Sequence, residues 1–220
     1  MTTNTGTDAV NKVEAVITDW GGVLTSPLND AIALWMRADR IDTARYKDVM
    51  RTWVRQAYDG SEVNPIHGLE DGTLDVAEFE RLLAAELLDL DGAPVPADGL
   101  IARMFAAFEP VEPMYATLRE VRAGGVRTAL LSNSWGNDYP RHLFAGLFDE
   151  VVISCEVGLR KPGEEIFRHT LDRLGLPGEA CVFIDDIEHN VAAAERLGMR
   201  GIVHTSPAAT ADALRALGAL

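Results

Sequence analysis

The hydrophobic positions of this chain fall into two regimes. Short continuous apolar runs, each halted by polar or turn residues, occur at 13–19, 128–131, 150–154, 180–184 and 201–204. Runs of that length predict buried strands. Helical segments are predicted between and around them, at 114–123, 139–147, 164–174, 190–197 and 209–217. Gly124-Gly125 and Gly198 mark two of the helix ends. The stretch 30–108 is different, because it holds no strand-like run. There 30–37, 43–58, 76–88 and 96–108 each carry apolar positions near a 3.6-residue period. Turn signals separate them at Asp59-Gly60, Asn64-Pro65, Asp71-Gly72 and Asp91-Gly92. Asp75, with Glu78 three residues on, predicts a helix N-cap.

Strands alternating with helices predict an α/β protein whose parallel sheet has both faces covered, a Rossmann-like three-layer core. The all-helical block then reads as an insertion into that core. The predicted division is an α/β core of 1–26 and 109–220 and an inserted helical cap of 27–108.

Composition narrows the partners. A chain of 220 residues, 47% hydrophobic and 25% charged, is ordinary for a globular protein with a full core. Its net charge of −14 argues against nucleic acid or an anionic membrane as a main partner. A small anionic substrate stays open, since a local cation outweighs a distant field. Lys12, Lys47 and Lys161 are the only lysines, so a lysine inside a motif stands out. Cys155 and Cys181 both lie in apolar runs and read as free thiols of a reducing compartment. The segment 1–8 lacks the basic and apolar regions of a signal peptide and reads as a frayed tail. No apolar stretch is long enough to span a bilayer. The expectation is a cytoplasmic protein, monomeric or homodimeric.

Candidate chemistry sits where the predicted strands end, which is where open parallel sheets build their sites. Asp19 closes the first run and is followed by Trp20-Gly21-Gly22. A carboxylate there can attack phosphorus, and the glycines let backbone amides approach an anion. Ser132-Asn133 closes the second run, offering a hydroxyl and amides to a phosphate oxygen. Lys161, between Arg160 and Pro162, supplies a point charge suited to pentacoordinate phosphorus. Asp185-Asp186 closes a further run, and a hard cation such as Mg²⁺ relieves the repulsion of such a pair. Asn190, a few residues on, is placed to orient that loop. Taken singly, these residues also fit a turn aspartate, a Ser-Asn turn, a loop lysine and a charged helix start. The ordered set is what points to phosphate.

Those four segments resemble the motifs of the haloacid dehalogenase superfamily of aspartate-nucleophile hydrolases, over nearly the whole chain. The Gly-Gly-Val-Leu stretch and the Asp-Asp pair are most similar to the phosphatase domain of soluble epoxide hydrolases and to bacterial sugar-phosphate phosphatases. The resemblance implies a Mg²⁺-dependent phosphatase acting on a small phosphorylated metabolite through an aspartyl-phosphate, with the insertion as a type-one cap. It implies Asp19 as nucleophile and metal ligand, the Gly21 carbonyl and Asp186 as further ligands, and Asp185 as a water-mediated or alternative one. Ser132 and Lys161 would hold the phosphoryl group. Gly22, Asn133, Trp20, Arg160 and Asn190 are the further substrate-side candidates.

The chain departs from this family at Gly21, where most of its phosphatases carry a second Asp as general acid and base. Three readings of that departure stay open: cap-borne Glu70, Asp71 or His67 supplies the proton, the leaving group needs none, or the protein binds more than it catalyses. His67 to Asp71 reads as a polar loop between cap helices. Three other activities stand beside the phosphatase. One is a haloacid hydrolase, for which the Asp pair is superfluous. The second is a phosphonoacetaldehyde-type hydrolase, for which Lys47 is the available Schiff-base lysine. The third is a non-catalytic phospholigand binder.

Overall fold

The computed structural model describes residues 12–58 and 64–220; the tail at 1–8 and the Asp59-Gly60 turn lie outside the described residues. The chain opens with β1 (Ala15–Thr18) and then runs through α1 (Leu28–Ala38), α2 (Thr43–Tyr58), α3 (Pro65–Asp71), α4 (Val76–Glu86) and α5 (Leu100–Phe105). It continues with α6 (Glu112–Ala123), β2 (Arg127–Ser132), α7 (Arg141–Phe144), β3 (Glu150–Ile153), α8 (Ser154–Val157) and α9 (Glu164–Leu174). Last come β4 (Cys181–Asp185), α10 (Glu188–Glu195), β5 (Arg200–Val203) and α11 (Pro207–Ala216).

The strands form one parallel sheet in the order β3-β2-β1-β4-β5. Strand β1 is central, and every residue in it is buried. Its side chains alternate between two cores, as the two-residue period of a strand requires. Val16 joins Leu130, Val182 and Ile202 against Met114 and Leu118 of α6 and Leu214 of α11. Ala15 and Ile17 join Leu131 and Phe183 against Ile166 and Phe167 of α9 and Ala194 of α10. This is the covered, three-layer parallel sheet that the apolar runs predict. The chain passes from β1 outward to β2 and β3, then returns to β4 on the other side of β1. That reversal opens a crevice at the C-terminal edge of the central strands.

Helices α1 to α5 build a separate apolar cluster around Trp35, Phe79, Leu83, Leu100 and Ile101. The two connections to the sheet lie side by side. Ser26 N–H donates to the Glu109 carbonyl at 2.8 Å, and Val111 N–H to the Leu24 carbonyl at 2.9 Å. The helical block therefore hangs from a two-stranded stem just beyond β1.

Three predicted elements change. His67 to Asp71 is part of helix α3 rather than a loop. Buried Asn64 caps it, accepting from Ile66 N–H at 2.9 Å and His67 N–H at 3.3 Å, while Pro65 takes the first position and Gly72 (φ 78°) ends it. The helix predicted at 96–108 contracts to α5, because Gly99 adopts φ 68° and the Glu80 carboxylate accepts from Gly99 and Ile101 N–H at its start. The one at 139–147 contracts to α7, with Pro140 just before it. No helix among the described residues is long and apolar enough to cross a membrane.

Candidate active site

Parallel pairing places Thr18 level with Leu130 and Ile184, so Asp19, Leu131 and Asp185 emerge together at the C-terminal edge. Asp19, Ser132, Lys161 and Asp186 all line one cavity of about 340 Å³, together with Trp20, Gly21, Asn133 and Asn190. Of the other predicted residues, Gly22, Asp185 and Arg160 are not part of its wall. Gly22 nevertheless shapes the site. It adopts φ +73°, and a Cβ there would collide with the Asp186 carboxylate.

Lys161 is 1% exposed and bridges two buried carboxylates, Asp19 Oδ1 at 2.9 Å and Asp185 Oδ2 at 2.7 Å. Burial alone would lower its pKa, but Asp185 and Asp19 outweigh that and hold the ammonium charged. The remaining capacity of Asp185 is taken by donors: Ile187 N–H at 2.8 Å and Asn190 Nδ2 at 3.1 Å from each oxygen. The backbone of Lys161 is held by Asn133, whose Oδ1 accepts from Lys161 N–H at 2.9 Å while its Nδ2 donates to the Lys161 carbonyl at 3.0 Å. Asn133 thus positions the lysine as well as lining the cavity.

Burial raises the Asp19 carboxyl to about 7, against the pull of Lys161 and with Asp185 adding to the rise. Burial and Asp185 also raise Asp186, which makes no ion pair among the described residues. One oxygen from each of Asp19, Asp185 and Asp186 lies within 4.8 Å of the others. Three carboxylates so placed against a single ammonium leave excess negative charge, and Asp19 and Asp186, unlike the fully bonded Asp185, keep oxygen capacity that suits a hard divalent cation.

The helical block contributes the opposite wall. Glu70 of α3 lines the cavity and accepts from Trp135 Nε1 and from Arg160 Nη1, both at 3.3 Å. Burial raises its pKa, opposed first by Arg160. Arg160 also donates to the Lys161 carbonyl at 2.9 Å and contacts His67 Nε2 at 2.6 Å. Its guanidinium is therefore spent on α3 and on the Lys161 loop, and does not face the cavity. Of the cap-borne proton donors considered, His67 is turned to Arg160, and Asp71 accepts from Thr73 N–H and Oγ1. Glu70 alone of the three lines the cavity. Lys47 lies exposed on α2 and outside the cavity wall, which leaves a Schiff-base route without its cap lysine.

The sequence profile of the haloacid dehalogenase-like hydrolases matches residues 13–198, so the match spans strands β1 to β4 and every motif just placed. This chain belongs to the haloacid dehalogenase-like hydrolases. A phosphatase of Mycobacterium tuberculosis is 27% identical over 222 residues, covering 94% of this hydrolase and 96% of that protein. Acyl-CoA dehydrogenase family member 10 of Mus musculus is 27% identical over 214 residues, 92% of this hydrolase. The chain spans 19% of that mouse protein and 24% of a matching rat bifunctional epoxide hydrolase. Among solved structures, a family enzyme of Bacteroides thetaiotaomicron in complex with magnesium and inorganic phosphate superposes with a TM-score of 0.63 at 19% identity. That alignment covers 88% of this hydrolase and 94% of the other chain.

Several site residues of this hydrolase carry no motif. Tyr139 donates its hydroxyl to Ser132 Oγ at 2.9 Å and so orients it; only its place after the Ser132-Asn133 strand end hinted at this. Leu28 and Ile187 line the cavity, and each follows a motif closely enough to have been suspected. Met104, Phe105 and Phe108 also line it. Their helical period is compatible with packing alone, and nothing in sequence says which face looks inward.

Proposed function

We propose that this protein is a Mg²⁺-dependent phosphomonoester hydrolase working through an aspartyl-phosphate. One observation carries the reading: Asp19, Ser132, Lys161 and Asp186 converge on one cavity, with carboxylates in excess over the ammonium. The Asp19 and Asp186 carboxylates and the Gly21 carbonyl would hold the cation, which when bound offsets negative charge on the transferring phosphoryl group. A phosphatase of similar length and a fold neighbour crystallised with magnesium and phosphate support this reading.

In the proposed reaction an Asp19 oxygen attacks phosphorus, and the bond from phosphorus to the leaving oxygen breaks. Lys161 and Ser132 hold the equatorial oxygens. Asp185, locked by Asn190 and Ile187 N–H, positions Lys161 and takes no part as a direct ligand. Glu70 is the group of the helical block placed to give the leaving oxygen its proton. Water then attacks phosphorus of the acyl phosphate, giving its proton to the Glu70 carboxylate, and the bond from phosphorus to the Asp19 oxygen breaks, freeing Asp19 and orthophosphate. The block 27–108 serves as a cap that excludes water and presents Glu70.

The test is turnover of p-nitrophenyl phosphate with and without Mg²⁺, with Asp19→Asn as control. Metal-dependent hydrolysis that vanishes in the variant is expected. Turnover that survives Asp19→Asn, or that ignores the metal, overturns the reading. Release of halide from 2-haloacids by the metal-free protein would favour a dehalogenase instead.

A further inference from the structure

Resting on the phosphatase reading, we infer that the substrate is a monophosphate ester whose organic part is apolar and uncharged, about the bulk of one ring. The cavity has a charged end and an apolar remainder. Asp19, Ser132, Lys161 and Asp186 occupy the phosphoryl end. Away from it the wall is dominated by Trp20, Met104, Phe105, Phe108 and Trp135. These are held in place by packing: Trp20 stacks on Phe105 with centroids 6.2 Å apart and on Phe108 at 6.1 Å.

A second observation concerns the exposed part of the same wall. Large apolar side chains are costly to leave in water, and contiguous exposed ones mark surfaces that become covered. Leu28 and Ile187 are 39% and 50% exposed, and both line this cavity, one from the helical block and one from the loop after β4. An apolar ligand passing between them would cover both.

Charge excludes the alternatives. Among the described residues Lys161 is the only cation in the wall, and two buried carboxylates already engage it. Beyond the phosphoryl end the polar side chains of the wall are Glu70, an acid, and the uncharged amides Asn29 and Asn137. A bisphosphate or a phosphorylated carboxylic acid would therefore meet no second positive charge. A polyhydroxylated sugar would set most of its hydroxyls against the apolar wall, with Asn29, Asn137 and Glu70 as the side-chain partners there, and would lose water for fewer hydrogen bonds than it has hydroxyl donors and acceptors. The volume of about 340 Å³ amounts to roughly eleven water-sized groups at ~30 Å³ each, enough for a phosphate and one ring.

The experiment compares benzyl phosphate with glucose 6-phosphate and glycerol 3-phosphate, using the full chain with Mg²⁺ and acetyl phosphate as reference. All three esters leave as alkyl oxygens, so the comparison reads recognition of the organic part. Benzyl phosphate is expected to show kcat/KM about tenfold or more above the other two, a difference of about 1.4 kcal/mol. Quenching of tryptophan fluorescence should likewise give benzylphosphonate a lower Kd than methylphosphonate. Leu28→Asn combined with Ile187→Asn should lower the benzyl-to-glucose ratio several-fold. Sugar or glycerol phosphates turned over as well as the benzyl ester, with acetyl phosphate hydrolysed, would overturn the inference and leave the phosphatase reading standing. No turnover of any of the three esters or of acetyl phosphate overturns both.

Discussion

Replacing Lys161 by Met exposes what the lysine does for the fold apart from any chemistry. The side chain is 1% exposed, as close to fully buried as its Asp185 partner at 0%. Methionine matches its length and leaves Asp19 and Asp185 facing each other without a cation. Breaking a buried pair by removing one partner costs about 3–5 kcal/mol, because the charge left behind has no water to return to. In a chain of this size that corresponds to a fall in Tm of roughly 6–20 °C. Asp185→Asn alone is also destabilising, since its carboxylate accepts from Lys161 Nζ, Asn190 Nδ2 and Ile187 N–H and an amide would turn a donor toward donors. Combined with Lys161→Met, however, it removes one of the two stranded charges. Thermal and urea melts of the four proteins therefore define a cycle whose coupling should exceed about 1 kcal/mol, within the range found for residues in one charge network. Additive effects, or a Lys161→Met melt within a degree or two of the native one, would refute the claim that buried carboxylates depend on this ammonium.

Two further outcomes follow from the same geometry. Burial, then Arg160, lowers the His67 pKa below its ordinary 6.5, with Asp71 opposing. The folded protein therefore binds fewer protons than the unfolded chain just below that pH, so the stability His67 contributes is full above 6.5 and declines as pH falls. Melts from about pH 7.5 to 5 should show His67→Gln losing less stability on acidification than the native protein; equal losses would refute this. Gly22→Ala forces a Cβ into the Asp186 carboxylate at φ +73°. It should cost about 1–2 kcal/mol in stability and raise the Mg²⁺ concentration needed for turnover; an unchanged metal requirement would count against Asp186 as a ligand.

The sheet and the charged end of the site were legible because one physical rule writes both. A strand buried on two faces must be an unbroken apolar run, and its C-terminal end is where a functional side chain reaches the crevice. Asp19, Ser132 and Asp185 each sit at such a boundary. What resisted reading depends on contacts distant in sequence. Glu70 and Arg160 meet across 90 positions, and neither carries a local sign of the other. Helix α3 was masked by its own polarity, although Asn64-Pro65 and Gly72 are start and stop signals that the turn reading absorbed. Asn190 was expected to orient a loop, and its amide spans both oxygens of Asp185. The aromatic wall was hidden for a different reason. Period shows that 96–108 has an apolar face, but not whether that face meets another helix or a ligand.

As the proposed phosphatase, a chain of net charge −14 must draw a phosphate dianion against its global field. The ammonium of Lys161 cannot do so alone, because two carboxylates hold it and Asp186 adds a third negative group beside them. Such a site repels phosphate until a divalent cation redresses the balance. Under the inferred specificity, the same crowding would also give selectivity. Positive charge is confined to the phosphoryl end, so everything beyond it is judged by shape and hydrophobic contact. Arg160, which would extend that positive patch, is instead turned onto Glu70 and His67. Its charge therefore joins the helical block to the loop that carries Lys161, beside the Ser154 hydroxyl and Trp135 Nε1, which also bond Glu70 of that block.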